Sequence, residues 1–567
     1  MPANQTEWIV KQKISSEISQ NLRKYPNLIQ QILYNRGLTT EDEADEYLRA
    51  NSPEYSPFLL KDLERAVEII HQAVMEKKKV IVFGDYDVDG VTSSVLLVQL
   101  LQAYGASVDV FIPNRFDEGY GLSFDAVHAV MEMEPNPDLI VTVDCGVRSV
   151  KEVDHLNELG VQVVITDHHQ PHDRIPAADA VVCPKQPGDS YPYKELAGVG
   201  LAYKLAQGLL EKHPIKGITA NDWIELVAVG TIADLAALDG ENRTLVRQGL
   251  RRMRFGQHKG LLALANVSGT NIEQCCSEDI GFRIGPRLNA AGRLDSARLA
   301  FDLLMAKTTE VAGSLALRLD AENRKRQLIT QEMVKKAEEK YDPQLHQNIL
   351  FIWDENFHEG VVGLAASKLV EKFYRPAIVG VLKDGMIHAS CRSIEEVNIT
   401  QALDQCAQYL EKHGGHAMAA GLTISTEQTV PFMKAMDTAC REMVDGKTLA
   451  KKYHAESEVT FKELLPENLK YYELLEPLGN GNPAPLFVTR NVKVKHVKKI
   501  GQEQGHLKLS LSDDSMNFSA IAWRFADSFD ALKEANTIDI LYAFEKNTYN
   551  GDTTLQLRIV DFLTYRN

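Results

Sequence analysis

A chain of 567 residues is too long for one hydrophobic core, and at ~150 residues per domain it should fold as three or four. With 44% hydrophobic and 25% charged residues it reads as globular, and no apolar run approaches the ~20 residues a membrane helix needs, so no membrane association is expected. The formal net charge of −16 argues superficially against a nucleic-acid partner, but charge sums over all domains, and a local basic groove can coexist with an acidic, metal-holding centre.

The N-terminus, Met-Pro-Ala-Asn-Gln-Thr-Glu, lacks the basic and then apolar pattern of a secretory signal, so a cytoplasmic protein is expected. Residues 1–55 are polar and mostly helical in pattern, punctuated by Pro26, Pro53 and Pro57, and read as an N-terminal extension. From Lys79 onward apolar runs at Val80–Phe83, Val108–Ile112, Leu139–Val143, Val161–Ile165 and Ala180–Cys183 read as strands. Helical stretches at 91–104, 123–133 and 149–159 fall between them, and two more follow near 197–212 and 221–238. This alternation predicts an α/β, doubly wound parallel sheet.

Residues 279–300 are rich in Gly and Arg, and 309–340 carry a long charged helical pattern that reads as a connecting helix. A second α/β domain begins near Ile349, marked by the strands Ile349–Trp353 and Ala377–Leu382, a helix start at His358 and the segment His413-Gly-Gly-His-Ala-Met-Ala-Ala-Gly421. In the last ~110 residues, runs at Val492–Val497, His506–Leu511, Phe518–Trp523 and Thr554–Phe562 alternate apolar and polar positions between turns such as Asn550-Gly551. They predict an antiparallel β-barrel of the oligonucleotide-binding (OB) type. Lys493, Lys495, Lys498 and Lys499, with Phe518, Trp523 and Tyr549, are suitable materials for holding a single strand.

The chemistry concentrates in Val80-Ile-Val-Phe-Gly-Asp-Tyr-Asp-Val-Asp-Gly90, where a buried strand runs into Asp85, Asp87 and Asp89. Asp-x-Asp-x-Asp-Gly also opens an EF-hand loop, but that loop requires Glu at its twelfth position, which here is Leu96. Carboxylates where a strand opens into a helix sit on the edge at which open α/β sheets bind ligands. Asp144 follows Leu139–Val143, Asp167-His168-His169 follow Val163–Thr166, and Asp234 lies in Gly-Thr-Ile-Ala-Asp-Leu, so parallel strands can bring these groups to that edge. Carboxylates with imidazole and no thiolate favour manganese or magnesium over structural zinc, and a shared carboxylate can hold two ions ~3.5–4 Å apart. Seven cysteines without a Cys-x-x-Cys give neither a disulfide framework nor a zinc site.

Asp-Tyr-Asp-Val-Asp-Gly, Val-Asp-Cys-Gly, Asp167-His168-His169 and Gly-Thr-Ile-Ala-Asp-Leu resemble the four motifs of the DHH phosphoesterase superfamily, and Gly-Gly-His-Ala-Met-Ala-Ala-Gly resembles its DHHA1 domain. Ile112–Gly121, Gly281–Arg293 and Pro477-Leu-Gly-Asn-Gly-Asn-Pro483 are similar to the superfamily's single-strand-specific 5′-to-3′ exonucleases. The resemblance implies an extension (1–55), a DHH domain (56–300), a connecting helix (301–345), a DHHA1 domain (346–450) and an OB-type domain (451–567). It implies that Asp87 and Asp144 hold one Mn²⁺ or Mg²⁺ and that Asp89, Asp144, His168 and Asp234 hold a second, with Asp85 supporting and His169 meeting the scissile phosphate. Arg115, Arg283, Arg287, Asn289, Arg293, Ser390, Arg392 and His416 match positions expected to bind DNA.

Two departures stand out. Phe83 replaces a metal-binding His of many relatives, and Ala389–Val397 is less glycine-rich than the pattern. The implied activity is metal-dependent degradation of single-stranded DNA to 5′-mononucleotides in recombination and repair, with the strand threaded between the DHH and DHHA1 domains. No Gly-x4-Gly-Lys-[Ser/Thr] loop is present, so a helicase, together with a single-strand-binding protein, is a candidate partner. The alternatives are a DHH phosphodiesterase for short oligonucleotides or cyclic dinucleotides and a catalytically inactive replication scaffold.

Overall fold

The structure, a computed structural model, describes residues 6–564 apart from 51, 53, 115–120, 295, 343–346, 448, 502 and 550–551; at 294, 547–549 and 552–554 only the backbone is described. The chain forms two compact units. The larger takes in Trp8–Pro113, the residues up to Gly285 and the C-terminal part from Tyr453, and the other is built on Pro286–Lys452.

In the larger unit the β-branched run after Lys79 is buried at every position, as a strand covered on both faces must be. It forms β1 (Lys79–Gly84), followed by β2 (Ser107–Phe111), β3 (Leu139–Val143), β4 (Gln162–Thr166) and β5 (Ala180–Val182). All pair in parallel in the order β2-β1-β3-β4-β5. The order reverses between β1 and β3, and at such a switch point the crossover helices leave to opposite faces and open a crevice beyond the strand ends. The register aligns Gly84 with Val143 and Val143 with Thr166, so the next residues, Asp85, Asp144 and Asp167, leave the sheet in one row.

The C-terminal strands are β11 (Phe487–Ile500), β12 (His506–Ser512), β13 (Asn517–Ala522), β14 (Thr537–Tyr549) and β15 (Asp552–Thr564) of the chain. They close into a five-stranded barrel, because β14 pairs with β15 on one side and returns to β11 on the other. The N-terminal segment is a strand, Thr6–Val10, followed by helices Ser16–Asn21, Asn27–Asn35 and Glu41–Arg49. Leu22, Ile29, Ile32 and Leu33 of this helical region share one apolar core with Phe461, Phe487 and Tyr542 of the C-terminal part.

Phe518 belongs to the same core. It lies edge-on to Phe461 and Phe544 and is therefore not available to stack on a base, contrary to the sequence expectation. The two-residue period explains this, since Phe518 falls on the inward phase of β13. Trp523, just beyond that strand, is exposed and lies edge-on to His506. The expected turn at Asn550-Gly551 and the side chain of Tyr549 lie outside the described residues.

The second unit carries the 31-residue helix Thr309–Glu339, capped by the Thr308 hydroxyl, which accepts from the Val311 amide. Its sheet consists of β6 (Leu350–Asp354), β7 (Ala377–Lys383), β8 (Met386–Arg392), β9 (Lys412–His416) and β10 (Ala419–Ser425). The order is β9-β10-β8-β7-β6, with only β6 and β7 parallel. The glycine-rich segment is thus a hairpin on one side of the sheet. Helix Val362–Phe373 packs its apolar stripe on Leu350, Ala377 and Val379, and the opposite face is covered by Phe432 and Met436 of helix Thr429–Val444.

Candidate metal centre

At the switch point β1 ends and helix Val88–Ala103 begins within four residues. Asp87 makes this abrupt change possible by capping the helix: its Oδ1 accepts from the amides of Asp89 (2.9 Å) and Gly90 (3.1 Å). Gly90 lets the turn close, since a Cβ there would lie 2.4 Å from the Asp85 carbonyl oxygen. Asp144, directly after β3, has φ +62°, a left-handed conformation that L side chains rarely adopt and that is retained where a carboxylate must be aimed.

Asp89 is fully buried at the start of helix Gly198–Lys212, where Oδ2 accepts from Gly198 N (2.7 Å) and Oδ1 from Val199 N (2.8 Å). Only glycine fits at 198, because a Cβ would stand 2.6 Å from Asp144 Oδ1. Gly230 plays the same part from the neighbouring helix, where a Cβ would come 2.9 Å from Asp89 Oδ1. The helix expected over 221–238 is shorter, Ile224–Ala233. The chain leaves it through Asp234 and a left-handed Leu235 (φ +60°), which puts the Asp234 carboxylate at the helix end.

Three overlapping groups of ligand atoms result: Asp85, Asp87 and Asp144; Asp89, His168 and Asp234; and Asp144, His168 and His169. Within each group the atoms lie within 4.8 Å of one another. Opposite ligands of an octahedral Mg²⁺ stand ~4.2 Å apart, twice the ~2.1 Å bond, so each group can close on one divalent ion. Asp144 is common to two groups. His168 Nε2 lies 3.1 Å from Asp144 Oδ1, 3.8 Å from Asp234 Oδ2 and 4.0 Å from Asp89 Oδ2.

The electrostatics fit a cation. Burial, and then the mutual repulsion of the aspartates, raises Asp89 to about 7, Asp234 to about 9 and Asp144 well above the usual carboxylate range. Burial, and then the neighbouring His169, pushes His168 down to about 3, which leaves its imidazole neutral and able to ligate. Asp144 Oδ1 and His168 Nε2 are buried without a hydrogen-bond partner. Buried charges are paired or coordinate metals, and here the missing partner is a divalent ion. The donor set of carboxylates and imidazole suits Mn²⁺ or Mg²⁺.

Asp167, expected at this edge from sequence as part of the Asp167-His168-His169 motif but given no role there, organises it. Its Oδ1 lies 2.7 Å from His169 Nδ1 and its Oδ2 accepts from Val147 N at 2.9 Å. Burial, the largest influence, would raise its pKa, but the hydrogen bonds and charge of His169 together with the neighbouring His168 outweigh it and hold Asp167 low. Gly198 and Val199 are absent from the expected set, although glycine beside a helix start in Ala197-Gly-Val-Gly200 is a readable signal of close approach. Phe83, where the resemblance led to an expected His, is wholly buried and stacks on Phe111 with ring centroids 5.4 Å apart.

The family comparisons bear on these motifs. Residues 79–231 match the model of the DHH family N-terminal domain, 345–442 the DHHA1 domain and 455–561 the RecJ OB domain. The chain is 36% identical to the single-stranded-DNA-specific exonuclease RecJ of Bacillus subtilis, over 94% of this chain and 67% of that one. It is 34% identical to the RecJ of Haemophilus influenzae, over 96% and 97% of the two chains. The chain belongs to the RecJ family. Among solved structures, RecJ from Thermus thermophilus in complex with Mn²⁺ superposes with a TM-score of 0.83 at 29% identity, covering 99% of this chain and 80% of that one. A manganese-bound exonuclease RecJ gives 0.60 at 34% identity, covering 69% and 98%.

The remaining candidates divide by location. Arg115 lies outside the described residues. Arg283, exposed at the end of the larger unit, pairs with Asp279 at 3.2 Å in a short π-helical segment, Ile280–Ile284. Arg287, Asn289 and Arg293 are half-buried on helix Gly285–Leu294, and Arg287 Nε donates to Asp320 Oδ1 at 2.9 Å. Ser390, Arg392 and His416 come together in the second unit. Register pairs Arg392 with Ala419 and Ala419 with His416, so these three share a face of the hairpin sheet, and Arg392 Nη1 donates to Ser390 Oγ at 3.0 Å. A Cβ at Gly363 would lie 2.9 Å from Arg392 Nη2, so glycine there leaves the guanidinium its room.

Proposed function

We propose that the chain is a metal-dependent exonuclease that degrades single-stranded DNA from the 5′ end to 5′-mononucleotides, in the cytoplasm and in DNA recombination and repair. The observation that carries this reading is Asp144, buried, aimed by a left-handed backbone and common to two ligand groups at the sheet's switch point. The RecJ relatives, whose names state single-stranded-DNA-specific exonuclease activity, supply the substrate class. Two solved RecJ structures with Mn²⁺ or Mg²⁺ support the choice of ion.

In this reading Asp87 and Asp144 hold one Mn²⁺ or Mg²⁺, and Asp89, Asp144, His168 and Asp234 hold the other, with Asp85 supporting the first. When bound, the two ions supply Lewis acidity, which makes a water nucleophilic at neutral pH and stabilises charge on the leaving oxygen. His169, held through Nδ1 by Asp167, meets the scissile phosphate. Arg115, Arg283, Arg287, Asn289, Arg293, Ser390, Arg392 and His416 contact the DNA. Among them Arg115, Arg293, Ser390 and Arg392 grip the 5′ end, so that polarity comes from recognition of the terminus and not from the hydrolytic chemistry. We assign 56–300 to the DHH domain, 301–345 to the connector, 346–450 to the DHHA1 domain and 451–567 to the nucleic-acid-binding barrel. A helicase that opens duplex and a single-strand-binding protein are the partners this activity calls for.

The test is incubation of labelled single-stranded and blunt duplex DNA with Mn²⁺, with products resolved by length. Mononucleotides from the single strand with the duplex largely spared are expected; internal fragments, or equal loss of both substrates, would overturn the proposal.

A further inference from the structure

The segment after Asp234 is held by a distant part of the chain. Residues Pro477-Leu-Gly-Asn-Gly-Asn-Pro483, which precede the barrel, form a tight turn: Gly479 N donates to Asn482 O (2.9 Å), Asn482 N returns to Gly479 O (3.1 Å), and Gly481 has φ +73°. Positive φ at the third position is the mark of a type II turn, which explains the glycine. Its tip meets the residues that follow the metal ligand. Asn480 Nδ2 donates to Leu235 O at 2.8 Å, and Leu238 N donates to Asn480 O at 2.7 Å. The approach is close enough that a Cβ at Gly479 would stand 2.8 Å from Leu238 Cδ1, and one at Gly481 3.3 Å from Ala237 Cβ.

The base of the turn is anchored as firmly as its tip. The buried Arg243 guanidinium donates to the carbonyls of Leu474 (3.0 Å), Leu475 (2.8 Å) and Pro477 (3.2 Å), and Asn482 Nδ2 donates to those of Leu475 (2.9 Å) and Pro477 (2.7 Å). On the other flank Leu478 N donates to Ser277 Oγ at 3.0 Å. A surface turn with no task beyond joining two elements does not need this many buried polar partners. Leu235, strained at φ +60° and exposed, has its carbonyl fixed by Asn480.

We infer that the Pro477–Pro483 turn is a positioning element for the metal centre, in which Asn480 fixes the Leu235–Leu238 segment and thereby holds the Asp234 carboxylate in place to ligate. The barrel side of the chain and the metal centre then share a joint, and groups that orient ligands from outside the coordination sphere typically change metal affinity about 10–100-fold. By linkage, ion binding also tightens the turn.

The inference rests on Asp234 as a ligand, and the experiment separates the two claims. Mn²⁺ titrations by calorimetry are run on the full chain for the parent, Asn480→Ala, Asn480→Asp and Asp234→Ala, with thermal unfolding of each measured both in chelator and with Mn²⁺. Asn480→Asp keeps the turn and its main-chain acceptor and replaces the donor to Leu235 by a carboxylate oxygen that repels that carbonyl, so it reports even if the alanine variant folds poorly. Both Asn480 variants should bind the ion held by Asp234 about tenfold more weakly, while the unfolding midpoint in chelator stays near that of the parent. Parent-like Mn²⁺ affinity in both, or a loss of stability equal with and without Mn²⁺ at unchanged affinity, would leave the turn a structural strap and overturn the inference. If Asp234→Ala itself binds Mn²⁺ as the parent does, the ligand assignment fails and the inference with it.

Discussion

At the scale of single residues the centre works by separating tasks between neighbours. His168 and His169 are consecutive, yet His168 lies among Asp89, Asp144 and Asp234 while His169 is tied to Asp167. Replacing His169 with Ala should therefore lower turnover on the order of 10²-fold while Mn²⁺ affinity, measured by titration, stays near that of the parent. A parallel loss of metal affinity would show that His169 ligates. Arg392 offers a second residue-level test. A charge-assisted hydrogen bond contributes roughly 1.5–3 kcal/mol, so loss of Arg392 should cost about 10–100-fold of the preference for a 5′-phosphate over a 5′-hydroxyl. Rates on the two kinds of single strand, for the parent and Arg392→Ala, measure this directly, and an unchanged preference would place end recognition elsewhere.

At the scale of elements the barrel shows which cations are committed to structure. Lys493 is paired with Asp514 at 2.7 Å, and Lys499 lies over the Phe529 ring, 5.1 Å from its centroid. Lys498 and Lys508 are instead directly opposite each other on β11 and β12, a like-charge pair that is unfavourable unless an anion sits between. If DNA phosphates meet them, Lys498→Ala with Lys508→Ala should weaken binding of long single strands and reduce the slope of log K against log salt by about 1.4, that is ~0.7 for each phosphate no longer neutralised. Cleavage of very short strands should be unaffected. Deleting the barrel is a poorer experiment, because its core is shared with the N-terminal helices.

These elements were legible to different degrees. The strands of the catalytic sheet announce themselves, since β1, β3 and β4 are β-branched runs buried on both faces and bounded by Gly or Asp. Four ligand-bearing motifs at strand or helix ends were likewise visible. Sequence could not show that β8, β9 and β10 form an antiparallel face, because Gly414, Gly415 and Gly421 dilute the alternation that marks a strand. Nor could it show that Asn480 reaches Leu235 across 245 positions, which depends on long-range closure, whereas the inward phase of Phe518 was present in the two-residue alternation of its strand.

At the scale of the whole molecule, one acidic row at a sheet edge draws on most of the larger unit. Strands supply Asp85, Asp144 and Asp167, helix Gly198–Lys212 supplies two amides, and helix Ile224–Ala233 ends in Asp234. Crowding buried carboxylates this way disfavours the ion-free fold, so metal binding and stability are linked; a ligand at about 100 times its Kd adds about 2.7 kcal/mol. Asp144 stands where the ligand groups meet, and its replacement asks whether they act as one centre. The decisive measurement is Mn²⁺-dependent nucleotide release from single-stranded DNA by Asp144→Ala beside the parent, with circular dichroism confirming that both are folded. A fall on the order of 10³-fold or more in a folded variant is the predicted result. Near-parent release would contradict the two-ion account.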